Sequence, residues 1–273
     1  MTPSSESAAR PLLLRVLPDW LRGPVWARLY RGRHAGRLPL YSAAPLTFAP
    51  DIRMQLVPGD IISDSIAFTG MYEFLLTKRI SDLARRGGTF VEVGANLGYF
   101  SLLWAAARDD NRCIAFEASP RNIGLLRENV RRNGLDDRIR VIPFAAGAER
   151  GTVAFDPGPP DQTGWGGFST TATPHSITVD VVRVDDIVDA AEPIAVLKVD
   201  TEGSDTWVLM GCDRLLKARA IREVWYEQNK PRANALGIPP DAAKTYLASV
   251  GYGAYPGSDP DAEIVEWCAA PLA

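Results

Sequence analysis

The residues that could do chemistry in this 273-residue chain are acids standing at the ends of apolar runs: Glu92, Glu117, Asp200, Glu202 and Glu227. In an open α/β sheet the ligand sits beyond the carboxyl ends of the strands, where strand order reverses. Glu92 leads straight into Val93-Gly94-Ala95-Asn96-Leu97-Gly98, a turn in which two glycines let the backbone come close to a ligand. The spacing is G-x-x-x-G with Asn96 inside it, and Ser101 supplies no third glycine, so the dinucleotide fingerprint is incomplete. A carboxylate next to the turn would repel a pyrophosphate at a bare helix N-terminus and welcome an ammonium group. The ligand expected here is cationic and carries an amino-acid part.

Glu117 follows Gly98 by 19 residues and can accept both hydroxyls of a ribose, in an NAD or in an adenosyl ligand. Asp200 and Glu202 close the run Leu197-Lys198-Val199-Asp200-Thr201-Glu202-Gly203. Two buried carboxylates close together push one pKa up, as a base working near neutrality needs. As an alternative, Asp200, Glu227 and Gln228, at the ends of neighbouring strands, could hold Mg²⁺ through oxygen. Lys198 either orients a carboxylate or pairs with one. His34 and His175, the only histidines, read as surface residues, and Trp165 and Phe168 could stack on a sugar face.

These residues need a scaffold, and the pattern supplies one. Residues 89–94, 112–118, 139–146, 194–200 and 222–227 read as strands, and helices are expected over 97–107, 120–133, 205–216 and 240–250. Strand–helix alternation calls for a parallel sheet covered on both faces. At the C-terminus, YGAYP and EIVEWCA flank the turn GSDPDA and should form an antiparallel hairpin that makes the sheet mixed. Residues 151–184 interrupt the alternation as an inserted β hairpin or flap with a Gly/Pro-rich tip. Upstream, 72–86 has helical spacing, whereas LTF, MQLV and IISDSIAF within 46–68 read as short strands. Residues 1–9 look disordered. Residues 10–40 suggest two short helices broken at Pro18 and at Gly23-Pro24. The division expected is a basic N-terminal cap over 1–60 and a catalytic domain over 61–273.

Net charge is −3, so the chain as a whole is no polyanion binder. Between Arg10 and Arg37, however, seven arginines face a single acid, Asp19, which would suit packing on the core or contact with a membrane surface. Cys113, Cys212 and Cys268 lie far apart without metal spacing and read as buried free thiols. No apolar run reaches membrane-spanning length, and the start lacks a continuous apolar core after a basic segment; a cytoplasmic protein is expected. Oligomeric state has no signature.

Taken in order, VEVGANLGYFSLLWAA, AFEASPRNIGLLRENVRRNGL and LKVDTEGSDTWVLMGCDRLL, with the lead-in TGMYEFLL, resemble the FkbM family of S-adenosylmethionine-dependent methyltransferases over roughly residues 60–230. Glu92 stands where Asp is commoner and Ala118 where Pro is common. The resemblance implies a Rossmann-like class I methyltransferase fold: α/β, with a mixed seven-stranded sheet and an antiparallel last strand. It implies S-adenosyl-L-methionine as donor and a hydroxyl of a sugar or secondary metabolite as acceptor. Gly94, Ala95, Asn96, Gly98 and Tyr99 would wrap the methionine part and Glu92 its amino group. Glu117 would take the ribose, with Ala118, Asn122 and Ala145 near the adenosine. Tyr72 and Glu73 would close over the donor or face the acceptor. By their own chemistry, Asp200, Glu202 and Glu227 are the candidates for catalysis, and Lys198 and Trp165 for contact with the acceptor.

Three rival functions fit the residues less well. An NAD-dependent oxidoreductase lacks its third glycine here. A nucleic-acid amino-methylating enzyme would show Asp/Asn-Pro-Pro-aromatic where this chain has Asp200-Thr-Glu-Gly. A non-catalytic donor-binding module would not need Asp200, Glu202 and Glu227.

Overall fold

A computed structural model describes residues 10–171, 173–189 and 192–272, so the disorder expected of residues 1–9 falls outside it. The chain opens with helices α1 (Leu12–Val16), α2 (Asp19–Leu29), α3 (Ile61–Thr69) and α4 (Phe74–Ala84). The alternation follows as β1 (Thr89–Val93), α5 (Tyr99–Ala106), β2 (Arg112–Phe116), α6 (Pro120–Arg132) and β3 (Ile139–Ile142). After β4 (Gly151–Asp156) and β5 (Ile177–Val182) come β6 (Ile194–Val199), α7 (Asp205–Met210), α8 (Asp213–Lys217) and β7 (Val224–Asn229). Helices α9 (Lys230–Ala235) and α10 (Ala242–Ser249) and strands β8 (Tyr252–Pro256) and β9 (Ile264–Pro271) end it.

Seven strands form one sheet in the order β8-β9-β7-β6-β1-β2-β3. Its inner strands are parallel, and β9 runs antiparallel to both β7 and β8. The mixed seven-stranded sheet and its antiparallel last strand are as the sequence implied. β1 and β6 are buried along their whole length because helices cover both faces, which explains why they are apolar except at Thr89, Glu92 and Lys198. Strand order reverses between β1 and β6, and that is where the sheet leaves a crevice.

Several local expectations change. IISDSIAF is helix α3, not a strand. Asp60 caps it by accepting Ser63 N at 2.8 Å, and Gly70, at φ +80°, closes it with its N–H on Ile66 O at 2.8 Å. A good cap at each end outweighs the β-branched residues between them. LTF and MQLV yield only a two-residue pairing, Ala44–Pro45 with Arg53–Met54. The chain breaks at Pro18 but α2 runs through Pro24, which removes one helical bond while Trp26 anchors the helix in the core. The single helix over 205–216 is two. Gly211 lies so close to the 147 peptide that a Cβ would sit 2.2 Å from Gly147 O. Asp185, in the short helix Val184–Ile187, then receives Arg214 N at 2.9 Å and Leu215 N at 3.1 Å, capping α8 from 29 residues upstream. Cys113 and Cys212 are buried free thiols, while Cys268 is only half-buried.

The third strand stops at Ile142. Ala145–Ala146 leave the main sheet and pair with β5, in a second sheet that also holds β4 and Gly167–Phe168. β4 and β5 are antiparallel, so the insertion is a hairpin, and its tip returns to the core through Asp60. The Asp60 carboxylate is fully buried and takes both Ser63 N and Thr163 N, each at 2.8 Å. Asp60→Ala strands two buried N–H donors, and a loss of about 2–4 kcal/mol of stability is expected. Calorimetric melting beside a surface control such as Asp51→Ala checks this.

Candidate functional site

The crevice is built by the glycine turn after β1. Gly94 (φ +86°), Asn96 (φ +51°) and Gly98 (φ +89°) take left-handed conformations. Gly94 N and Ala95 N donate to Phe116 O at 3.0 and 2.9 Å, bending the chain back over β2. Asp200 N donates to Val93 O at 3.0 Å, and a Cβ on Gly94 would stand 1.9 Å from Asp200 O. The ends of β1 and β6 therefore touch with no room for a methyl group. Beyond them opens a cleft with about 1070 Å³ of empty space counted out to its mouth.

One end of the cleft is polar and largely uncharged. The Glu117 carboxylate accepts Asn96 N at 2.7 Å and Ser119 N at 2.8 Å, and each oxygen retains a second lone pair. Burial pushes its pKa up to about 7 against those hydrogen bonds. Ala118 and Ala145 offer small apolar surfaces beside it. Asn122 Oδ1, Thr163 Oγ1, Ser119 Oγ and Asn96 Oδ1 are buried at this cleft without a partner among the described residues. Buried acceptors and hydroxyls left open in a cavity wall are suited to a polar ligand.

The hairpin tip, residues 157–168, lies across this end as a strap. Arg121 donates to Pro157 O, Pro159 O and Gln162 O at 3.0, 3.0 and 2.9 Å. Asn122 Nδ2 donates to Thr163 O at 2.8 Å, and Gln162 bridges to Gly59 O and Ile61 N at 3.1 and 3.2 Å. Arg121→Ala removes three of these ties, and ligand dissociation is expected to speed up about tenfold, measurable by stopped-flow fluorescence.

The other end is acidic around one buried cation. Lys198 is 4% exposed, donates to Asp200 Oδ2 at 2.9 Å and lies 5.0 Å from the Phe100 ring centroid. Burial alone would lower its pKa, but Asp200, Glu92, Glu73 and Glu266 together raise it. Glu92 accepts from Ser101 Oγ, and burial pushes it up to about 7 against Lys198. Glu202, at φ +54°, accepts Asn229 Nδ2 at 3.0 Å and lies 3.4 Å from Arg232 Nη1. Burial pushes it up to about 7, with Arg232 opposing. Glu227 lines the same cavity; burial, then Asp200, Glu202, Asp205 and Glu266, push it up to about 10.

Tyr72 also lines the cavity, and Glu73, at φ +45°, stands in the field of Lys198. Tyr99 contributes its ring, while its hydroxyl accepts from Thr77 Oγ1 at 3.2 Å. Gly98 is behind the wall, against Leu126. Trp165 is half-exposed on the strap and outside the lining, whereas Phe168 lines it and tilts over Trp207 at 6.2 Å.

The Asp200–Glu227–Gln228 arrangement for Mg²⁺ does not assemble. Successive residues of a strand face opposite ways, and Gln228 turns to the far side, donating to Pro240 O and accepting Trp267 Nε1 at 2.9 Å. Among the described residues no group of three or more His, Cys, Asp or Glu is placed to hold a metal ion.

Sequence reasoning missed Glu266, Arg232, Arg121 and Thr163. Only Glu266 had a signal: in the β7–β9 register it stands opposite Glu227. Burial, then Glu73, push it up to about 8 against Lys198.

Glu92, Glu202, Glu227 and Glu266 all have folded values above the ordinary 4.5. The fold thus favours their protonated forms; that stability is complete below the unfolded value and drains away as pH rises through about 7 to about 10. The melting temperature of the ligand-free protein is expected to fall from about pH 5 to about pH 10, most steeply below about pH 7, where all four groups hold protons that the unfolded chain has lost. Glu227→Gln should flatten the decline, as scanning calorimetry across pH would show.

The profile of the methyltransferase FkbM domain matches residues 92–252. No curated protein matches the chain. Among solved structures, a precorrin-6y C5,15-methyltransferase from Geobacter metallireducens GS-15 aligns at 11% identity and TM-score 0.45, covering 74% of this chain and 91% of that one. An SAH-bound methyltransferase from Podospora anserina aligns at 13% identity and TM-score 0.44, over 74% and 80%. An O-methyltransferase from Bacillus cereus in complex with SAH aligns at 13% identity and TM-score 0.41, over 74% and 83%.

Proposed function

Because the chain belongs to the FkbM methyltransferase family, we propose that it moves the methyl group of S-adenosylmethionine to a hydroxyl oxygen of a small molecule, a sugar or a natural product. The cleft fits the donor: Gly94 brings backbone without a side chain to its wall, and buried Asn122, Thr163 and Ser119 atoms, without a partner among the described residues, await polar contacts. Glu117 would hold the ribose hydroxyls, Gly94, Ala95 and Asn96 would enclose the methionine part, and Glu92 would face its ammonium. When bound, the donor supplies an electrophilic methyl carbon on a cationic sulfur.

The observation that carries the hydroxyl assignment is the Lys198–Asp200 pair. An alcohol is a weak nucleophile until a base takes its proton. Asp200 lines the cleft with a side chain 27% exposed, and Lys198 fixes its Oδ2 at 2.9 Å. Its Oδ1 makes no hydrogen bond to the described residues and is available to an acceptor hydroxyl. Glu202 and Glu227 line the same space and would accept further hydroxyls, with Tyr72 and Glu73 beside them. A cavity lined by the carboxyls of Glu92, Glu117, Asp200, Glu202 and Glu227 offers hydrogen-bond partners to hydroxyls and, among the described residues, no cluster of lysines or arginines for phosphates, which favours a small polyol over a nucleic acid.

Among the described residues no helix is long and apolar enough to cross a membrane. The free thiols fit the reducing cytoplasm, where we place the protein. The deciding experiment is a screen of sugars and hydroxylated natural products with labelled donor, followed by mass analysis of the products. Donor binding without turnover on any hydroxyl acceptor would reduce the chain to a binding module. Tight NAD binding without donor binding would end the reading.

A further inference from the structure

The first thirty described residues split into two faces. The inner face closes the core: Leu14 is fully buried, Trp26 is 7% exposed, and Tyr30 packs on Phe68 of α3 at 5.9 Å between ring centroids. Arg10 reaches inward to Ala67 O at 3.1 Å. The opposite side of α3 presents Ile62 and Ile66 to the cleft, so the cap is one helix away from the site.

The outer face is apolar and cationic at once. Six of the twelve large apolar side chains exposed among the described residues are here: Leu12, Leu13, Val16, Trp20, Leu29 and Leu38. On α2 and just past it, Trp20, Pro24, Ala27, Arg28 and Arg31 recur at helical spacing on the solvent side. Arg15, Arg28, Arg31 and Arg33 are exposed, and none takes part in an ion pair among the described residues. The single acid of the segment, Asp19, is 3.0 Å from Arg22. Residues 10–38 thus carry a formal +6 in a chain of −3 overall, so the remainder is anionic.

We propose that this face docks the enzyme on an anionic lipid bilayer. Leucines, a valine and a tryptophan flanked by unpaired arginines match the two requirements of an interfacial anchor, apolar insertion and attraction to negative headgroups. Each arginine close to such a surface strengthens binding about fivefold, and the amphipathic Trp20 ring suits the headgroup layer. The anionic body is repelled by the same surface, which orients the molecule cap-down. A partner protein would need apolar burial without this charge bias. A nucleic acid would use the arginines and leave Leu12, Val16 and Trp20 idle.

The test is sedimentation of the full chain with sucrose-loaded vesicles of phosphatidylcholine alone or with about one third phosphatidylglycerol. Binding to the anionic vesicles is expected at least tenfold above the neutral ones, with a blue shift of tryptophan emission. It should weaken at least tenfold in Arg28→Gln/Arg31→Gln/Arg33→Gln and several-fold in Trp20→Ser, both of which leave the buried face untouched. Equal or absent binding to the two vesicle types overturns the proposal. So does a Trp20→Ser variant that binds like the parent, the mark of a plain polyanion site. A cap-dependent dimer in sedimentation velocity, lost in Trp20→Ser while no vesicle is bound, would assign the face to a second copy instead.

Discussion

Asp200→Asn is expected to lower methyl transfer by about three orders of magnitude while leaving donor affinity within a few-fold. The substitution keeps shape and an oxygen that can face Lys198, but removes the ability to take a proton. Lys198 is still surrounded by Glu92 and Glu73, so the buried cation does not lose all of its counter-charge and the fold should hold. The readouts are single-turnover transfer with labelled donor and calorimetric titration of donor. Full activity would remove Asp200 from proton transfer. Equal loss of activity and of donor binding would make it a donor ligand instead. Because Lys198 touches the same carboxylate, Lys198→Met should retain part of the activity and move its pH dependence.

Gly94→Ala is expected to raise the donor dissociation constant by at least a hundredfold and to lower the melting temperature. Two penalties coincide there. The backbone is at φ +86°, where a side chain costs about 1–2 kcal/mol, and the new Cβ would stand 1.9 Å from Asp200 O, a backbone atom with no rotamer to change. Gly98→Ala is the matched comparison. Its φ is +89°, but the nearest atom, Leu126 Cδ1 at 2.6 Å, ends a flexible side chain that can turn away. Its effect should stay within about tenfold. Donor titration of both variants separates backbone contact from backbone strain, and similar losses in the two would discard the contact as the cause.

The parts of this architecture that repeat were legible before any coordinates. β1, β2 and β6 each show a mostly apolar run with an acid at or just past its end, because a strand covered on both faces has little polar side and its end is where the ligand meets it. The antiparallel β8–β9 pair followed from a short turn that leaves no length for a crossover helix. Elsewhere local chemistry competed with pattern. In residues 61–69, β-branched composition suggested a strand, and the cap at Asp60 and the glycine at 70 decided for helix. The Mg²⁺ arrangement failed for a reason of parity, since Glu227 and Gln228 are consecutive and cannot share a face. Arg121, Thr163 and Arg232 were invisible because their importance lies in contacts across 30 residues or more, which no spacing rule encodes. Glu266 lay between these cases, since pairing register names its neighbour once the hairpin is accepted.

One guanidinium serves two masters. Arg232 donates to Trp165 O of the strap at 2.9 Å and lies 3.4 Å from the Glu202 carboxylate in the cleft. Arg232 opposes the burial that raises the Glu202 pKa, and the same guanidinium ties the strap's backbone to the wall of the cleft. The seat of the strap and the charge of an acid inside the cleft thus hang on one side chain, so a change at residue 232 reaches both at once.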